Sequence, residues 1–537
     1  MRSKRFPLKP ALKEMFGELP LSAEVYWHLL QSGKPLNKSF TLQQLEGWLP
    51  EWHQQVAQAA QEAQPGKKIL IFSALHYWIS HATLLGMALA GLGHEVTLAY
   101  LPFGKWQKSI KRFDLRRQNL YTDGVLRKAA PFVRAISFLD QVLTKDALPL
   151  ELERAVEEVS LRDTQYTLQV ENVSIESDLY RLRLDRNTQA ARAAFAWMQA
   201  NHPQVVIIPN GTIMEFGSVY RVGRFLQIPA VTYEFGEQHG CIWLAQNAEV
   251  MRQQTNDLWE ARGGQELTTG QLDQVRALFT ARQRGNLWEN FARRWQGVPS
   301  QGGLEARLAL GLDQRPIVLL ATNVIGDSLT LGRQVFSDSM TEWLERTMRY
   351  LAAHPEVQVV VRIHPGELVT KGSSIAEVVR QALPNLPENI HVVPADAKVN
   401  TYDIIEIADV GLVYTTTVGL EMATSGLPTV VVGQTHYRGK GFSLDPDSWQ
   451  AYFELLDQLL AQPERYRLSG EQVRSAWEYA YRFFFEYPHP FPWHLVHMWE
   501  DIKEWSMKKV LSSEGQNNFG KTFRYLSGEQ IDWTSIA

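Results

Sequence analysis

Short, wholly apolar runs that stop at glycine, proline or polar residues occur in two series along this chain, each alternating with stretches of helical periodicity. A strand covered on both faces reads as a continuous apolar run, whereas a half-exposed strand alternates. The first run, Lys68-Ile69-Leu70-Ile71-Phe72, follows Pro65-Gly66. A helix predicted over 82–92 ends at Gly93, and Glu95-Val96-Thr97-Leu98-Ala99-Tyr100 makes a second strand, completing a βαβ unit. Strand patterns return at 205–208 and 230–233, around a helix at 214–226, with further helices around 148–159 and 188–201. The second series runs through strands at 316–320, 357–363, 390–393, 410–413 and 429–432. Helices are predicted between them at 339–353, 374–382, 402–408 and 418–425, and after them at 447–461 and 471–485.

This pattern predicts an α/β chain of two Rossmann-like, doubly wound domains facing across a cleft, with an N-terminal helical extension. The expected divisions are a helical extension at 1–66, an acceptor-side domain at 67–250 and a helical connector at 251–312. A donor-side domain at 313–465, helices at 466–507 and a poorly ordered polar tail at 508–537 complete the chain. A length of 537 residues is ample for two cores.

A formal net charge of −4 does not favour a general nucleic-acid binder. The single cysteine, Cys241, excludes an intrachain disulfide and a multi-thiolate zinc site, and reads as a small buried apolar residue. No metal site and no cofactor are expected. The basic start Met1-Arg2-Ser3-Lys4-Arg5 is not followed by the apolar stretch of a secretory signal, and no run long enough to span a bilayer occurs. The expected location is cytoplasmic, peripheral to the inner membrane face. Lys105, Lys108, Lys111, Arg112, Arg116 and Arg117, with Trp106 and Phe113, form one basic cluster. It reads either as a contact for anionic lipid or acidic glycan, or as a solvated helix face.

In open α/β sheets ligands bind at the carboxyl ends of strands, so the residues there are the candidates. One strand ends in Arg362-Ile363-His364-Pro365-Gly366. Arg362 and His364 share a face of the extended chain and suit a phosphate; the alternative is a salt-bridged arginine and a capping histidine. Another strand ends in Thr415-Thr416-Thr417-Val418-Gly419-Leu420-Glu421 at a helix start. Hydroxyls and free N–H groups there suit a phosphate, and Glu421 suits ribose hydroxyls; the alternative is ordinary capping. The loop Gly433–Asp445, with Arg438 and Lys440, and the loop carrying Asn323 and Gly326 are further candidate donor contacts. For a general base the candidates are His76 and His81 after the first strand, Glu215 in Asn210-Gly211-Thr212-Ile213-Met214-Glu215, and Glu234 after the strand at 230–233.

The order Arg-x-His-Pro, threonine-rich turn, Gly-x-Glu, Gly-x-Pro and glycine-rich loop over 315–445 resembles GT-B glycosyltransferases of bacterial surface-polysaccharide assembly. It is most similar to the capsule polysaccharide biosynthesis group, which includes transferases using CMP-Kdo. Sialyltransferases with a His-Pro motif and wall teichoic acid polymerases share parts of the plan. The resemblance implies that His364 and Thr415–Thr417 bind the donor phosphate, that Glu421 binds ribose, and that the base sits near Val392, Val393 and Pro394. It implies a metal-independent transferase with a nucleotide-sugar and a glycan or lipid-linked acceptor as partners, and no nucleic acid. Alternatives are a nucleotide-sugar epimerase or a CDP-polyol phosphotransferase on the same fold, or a non-catalytic GT-B-like scaffold protein.

Overall fold

The computed structural model describes residues 16–31, 33–36, 38–141, 147–236, 238–286 and 297–535. The basic start of the chain and part of the expected connector, 287–296, lie outside them.

Two sheets organise the molecule. The first uses β1 (Lys68–Ala74), β2 (Glu95–Leu101), β3 (Val133–Ser137), β4 (Val205–Pro209), β5 (Ala230–Glu234) and β6 (Cys241–Gln246). The second uses β7 (Ile317–Ala321), β8 (Gln358–Arg362), β9 (Ile390–Val393), β10 (Val410–Val413) and β11 (Thr429–Val431). A two-residue strand from near the C-terminus, β12 (His489–Pro490), joins the first sheet antiparallel to β6. The first sheet has the order β12-β6-β5-β4-β1-β2-β3 and the second β11-β10-β7-β8-β9. Within each, the parallel strands repeat one plan: the first strand is central, the next two extend to one side, and the last two to the other. Crossovers of fixed hand therefore leave on opposite faces beside that central strand, and a crevice opens at its carboxyl end.

The parallel strands match the apolar runs because helices cover both faces. β7 and β8 are buried along their whole length. Three strands differ from expectation. β3, Val-Arg-Ala-Ile-Ser, is an edge strand with exposed and half-buried positions, so no apolar run announces it. β6 is antiparallel and falls inside the expected first α/β domain, after the last strand pattern read from the sequence there. β12 is too short to carry a pattern.

Helix boundaries also move. The loop expected after β1 is instead the first turns of helix His76–Gly91, buried on nearly every side. The helices Asn256–Arg262, Thr269–Gln283 and Gly303–Ala309 replace a free-standing connector. Leu258, Val275, Leu278 and Phe279 belong to the core of the second domain. Helix Gly470–Tyr481 packs there too, through Ala476, Tyr479 and Ala480.

The expected disordered tail is a correction. Residues 507–526 form helices Met507–Leu511 and Ser513–Leu526, which return to the first domain. Phe519, Phe523 and Leu526 enter its core beside Trp493. The tail reads as polar because it shows a single apolar stripe at positions 519, 523 and 526, spaced for one helical face. Among the described residues, no helix is long and apolar enough to cross a membrane.

Phe523 is 1 % exposed, and truncating such a ring removes about 3–5 kcal/mol of stability. Phe523→Ala is expected to lower the denaturant midpoint of the whole chain, read by tryptophan fluorescence, whereas a dispensable tail would leave it unchanged.

Candidate active site

A cavity of about 230 Å³ lies where the two carboxyl edges meet. Its second-domain wall comes from the loops after β7, β8 and β10, including Asn323, Asp327, Arg362, His364, Pro365, Thr416, Thr417 and Glu421. Its first-domain wall is the β5–β6 hairpin, with Gly236, Gln238, Cys241 and Trp243. Phe483 and Phe484, on the helix that leads back between the domains, close one side.

Arg362 is the last residue of β8 and is 3 % exposed. Its Nη1 donates to the carbonyl of Pro394 at 2.6 Å and its Nε to Thr401 Oγ1 at 3.2 Å. Both partners are neutral. Burial alone lowers its pKa, to about 10, so it remains a cation at neutral pH. Pro394 acts here through its backbone oxygen, as a support for Arg362, and does not line the cavity. His364 is exposed and lies on the same wall; its Nδ1 accepts from the Gly366 N–H at 2.9 Å, which fixes the ring on its own turn. His364 and Thr416 therefore share one hollow.

The threonine turn is less of an anion cradle than its sequence implies. The helix it opens spans only Val418–Thr424. Its first amides already have acceptors: Gly419 N–H donates to Thr416 O at 3.1 Å and Leu420 N–H to Thr417 O at 3.0 Å. Thr415 is structural, accepting nothing from the cavity. Its N–H donates to Asn323 Oδ1 at 3.1 Å and its Oγ1 to Leu329 O at 2.8 Å, tying two walls together. Gly419 leaves room for the Tyr437 hydroxyl, which a Cβ there would strike.

Glu421 lines the cavity but is not a free acceptor. Its Oε1 receives Arg282 Nη1 at 2.5 Å, with both side chains buried. The Tyr402 hydroxyl lies against the same pair, and its pKa is raised by burial first and by Glu421 second. Arg282 sits on helix Thr269–Gln283, 139 residues before its partner, so no local spacing could reveal it. Arg282, Tyr402, Asp327 and the Phe483–Phe484 wall are among the lining residues that sequence reasoning missed, as are Gln238 and Trp243.

Arg438 and Lys440 are corrections. Arg438 donates to the carbonyls of Val431 and Pro446, bracing its own loop, and Lys440 reaches Asn256. Neither lines the cavity. Lys440 thus ties the loop to helix Asn256–Arg262, where Thr255 Oγ1 also donates to His436 O at 2.9 Å.

Of the candidate bases, two are withdrawn into the core. His81 is fully buried, with Nε2 at 3.2 Å from Trp493 O and Nδ1 at 3.4 Å from the Tyr233 hydroxyl. Burial pushes its pKa down to about 3. Glu215 is buried against Arg183 at 3.0 Å, which also holds buried Asp163. His76 is half-buried on the first turn of its helix, against Phe40 and Tyr77, and does not line the cavity. Glu234 ends β5, two residues before Gly236 of the cavity wall, and is only partly covered. Its oxygens accept from Asn210 Nδ2 at 3.1 Å and Phe235 N–H at 3.0 Å. Burial raises its pKa, partly opposed by those two donors.

A clasp crosses the cleft beside this site. The turn Gln169–Glu171 of the first domain reaches three loops of the second. Glu171 accepts from the Met340 and Thr341 N–H groups at 2.9 and 3.0 Å, at the start of helix Met340–Ala352. Gln169 Oε1 accepts from Lys371 N–H at 2.8 Å. Gly326, at φ +70°, lies against the backbone of Gln169 and Val170, where a Cβ would not fit. Its place is thus in the interdomain contact, and it does not line the cavity. Among the described residues no cluster of three or more His, Cys, Asp or Glu is placed to hold a metal ion.

Neither a family model nor a curated protein matches the chain. Among solved structures it is similar to the Thermosulfurimonas dismutans KpsC beta Kdo 2,4 transferase, at 16% identity over 61% of this chain and 88% of that one, TM-score 0.34. It is also similar to UDP-GlcNAc 2-epimerase from Neisseria meningitidis bound to UDP-GlcNAc, at 12% identity over 78% and 99%, TM-score 0.25. A glycosyltransferase from Rickettsia africae is similar at 9% identity over 83% and 99%, TM-score 0.25. The fold is the two-domain α/β arrangement expected from the sequence; any chemistry must be argued from the residues above.

Two predictions follow from this geometry. The unfolded chain protonates His81 below about pH 6.5, whereas the folded protein resists until about pH 3. Stability supplied by neutral burial is complete above pH 6.5 and is lost as pH falls through that window, by up to about 1.4 kcal/mol per pH unit. His81→Gln should flatten the fall between pH 6.5 and 4 by one proton in urea titrations; an unchanged slope would place the imidazole elsewhere. Glu171→Ala should speed hydrogen exchange at Met340 and Thr341 about tenfold, matching a charge-assisted bond of about 1.5 kcal/mol or more. It should also raise the radius of gyration in solution scattering; equal protection in both proteins would dismiss the clasp.

Proposed function

We propose that the cavity receives the phosphates of a nucleotide-activated sugar, and that the protein is a glycosyltransferase acting on a surface-polysaccharide or lipid-linked glycan acceptor. One observation carries this reading: among the described residues the buried Arg362 cation has neutral partners alone, at the carboxyl edge of the sheet and beside His364. Buried charges are normally paired, because the desolvation cost is otherwise uncompensated. A phosphate at this wall supplies the missing anion and accepts from a guanidinium fork. The site also lies at the crevice between β7 and β10, where open sheets hold ligands.

In this reading the acceptor hydroxyl enters from the first-domain edge. Glu234 takes its proton as the oxygen attacks the anomeric carbon, and the sugar–phosphate bond breaks. The electron pair leaves on the nucleotide phosphate, which Arg362 and His364 stabilise. Burial raises the pKa of Glu234 toward the range of an effective base, and its place two residues before Gly236 of the cavity wall favours it over His76. Glu421, braced by Arg282, is oriented for a ribose hydroxyl through its remaining acceptor capacity. At about 230 Å³ the cavity is smaller than the ~300–1,000 Å³ usual for ligand pockets. A whole sugar nucleotide is then admitted only when the clasp parts.

Titration calorimetry with CMP, CDP, UDP, GDP and their sugars is the direct test. At least one nucleotide is expected to bind, with His364→Ala and Arg362→Lys each weakening it about tenfold or more while the unfolding midpoint changes little. Absence of binding by every nucleotide, or affinities unmoved by both substitutions, would refute the assignment. Release of free, epimerised sugar without any acceptor would replace transfer by epimerisation.

A further inference from the structure

The N-terminal helical segment shows a face that, among the described residues, nothing covers. Helix Ser22–Tyr26 continues into the wider turn Trp27–Gln31, and Ala23 and Trp27 point inward. Leu21, Val25 and Leu29 recur every fourth residue on the outer side, with Leu30 beside them. They are 67%, 54%, 75% and 71% exposed. Four large aliphatic side chains at this exposure on one stripe form a contiguous apolar patch, unlike the single exposed leucines found on any surface. An apolar groove of about 620 Å³ adjoins it, floored by Phe16, Tyr26 and Phe113.

Charge is arranged around the same place. The described residues between 16 and 38 hold Lys34 and Lys38 with Glu18 and Glu24, and residues 103–117 hold six Lys or Arg against one Asp, in a chain whose formal net charge is −4. The two segments are joined: Arg112 pairs with Glu18, and Arg116 with Glu24. Those pairs spend the local acids on packing. Lys34, Lys38, Lys105 and Lys108, on these two joined segments, stay exposed, and Arg117 lines the groove itself. The lysine loop is held facing outward, because Arg186 takes the carbonyls of Lys105 and Lys108 at 3.0 and 2.7 Å and Arg183 takes that of Trp106.

We infer that this face docks the protein on a membrane surface bearing anionic lipids. An apolar stripe on a segment packed against a lysine- and arginine-rich one is a pattern that inserts at the headgroup boundary, and positive charge selects acidic lipid. The lysine loop leaves the carboxyl edge of β2, the same sheet edge that carries Glu234. Docking thus brings the cleft toward the bilayer. The inference does not depend on the donor reading, since it concerns a different surface.

Vesicle co-sedimentation of the full chain tests it, with phosphatidylcholine alone or mixed with phosphatidylglycerol. Retention is expected on the anionic vesicles only, weakened by high salt. Leu29→Asp/Leu30→Asp should reduce it at least about tenfold, and Lys105→Ser/Lys108→Ser about fivefold per lysine. All four side chains are exposed, so unfolding midpoints and nucleotide affinity should be unchanged; the lysine pair remains decisive if the leucine variant fails to fold. No retention on anionic vesicles, or retention indifferent to both variants, overturns the inference. So does a dimer in light scattering that the leucine variant dissolves while vesicles capture nothing, since the occupant is then a second copy of this chain.

Discussion

A guanidinium buried among neutral acceptors is costly to maintain, and Arg362 is held that way by the architecture around it. β8 ends at Arg362; the carbonyl of Pro394 and the hydroxyl of Thr401 take its protons. Those acceptors sit on the chain leaving β9 and on the first turn of helix Thr401–Ile407. Asn400 caps that helix and donates to the carbonyls of Gln283 and Val298. The cation is thus built into the join between the sheet and the helices that precede it in sequence. Replacing it by an apolar residue would relieve the charge and leave two buried acceptors unmet. A ligand anion resolves the same imbalance without that loss.

What the sequence made legible follows from burial symmetry. Nine of the ten parallel strands among the described residues were located within a residue or two, most of them as apolar runs covered on both faces, although β9 sits at a sheet edge with two half-buried positions. β3 and β6 escaped because an edge strand and an antiparallel strand need no continuous apolar run. The site was half legible for a related reason. Arg362, His364 and Thr416 lie on short loops directly after recognisable strands. Arg282 reaches Glu421 from a helix in another part of the chain, and only the assembled core brings them together. Arg438 and Lys440 misled because a cationic loop at a strand end serves equally well to brace itself and a neighbouring helix of the same domain. His81 misled through its helix: a histidine four residues after Tyr77 reads as a polar loop until the turn is seen to be helical and buried.

The first-domain edge carries its own signs of use. Leu75, Asn210 and Met214 all have positive φ, at 65°, 59° and 59°, in the turns after β1 and β4. Non-glycine residues held there cost of order 1–3 kcal/mol each and persist where surrounding structure over-determines them. Asn210, one of the three, donates to Glu234 and accepts from the Thr212 N–H. Strain in that turn and the placing of the Glu234 carboxylate are therefore parts of one arrangement.

The ion network that removes Glu215 from consideration as a base also reaches the surface. Arg183 bridges Asp163 and Glu215 with no exposure to water, and breaking such a triad by removing one partner costs about 3–5 kcal/mol. The same guanidinium takes the carbonyl of Trp106, and its neighbour Arg186 stacks over Phe103 at 4.2 Å while taking the carbonyls on either side. One buried cluster thus fixes helix Met214–Phe225, which follows the strained turn, and the lysine loop that follows β2. The position of the first-domain edge and the outward display of positive charge are set by a single group of residues, so neither can shift without the other.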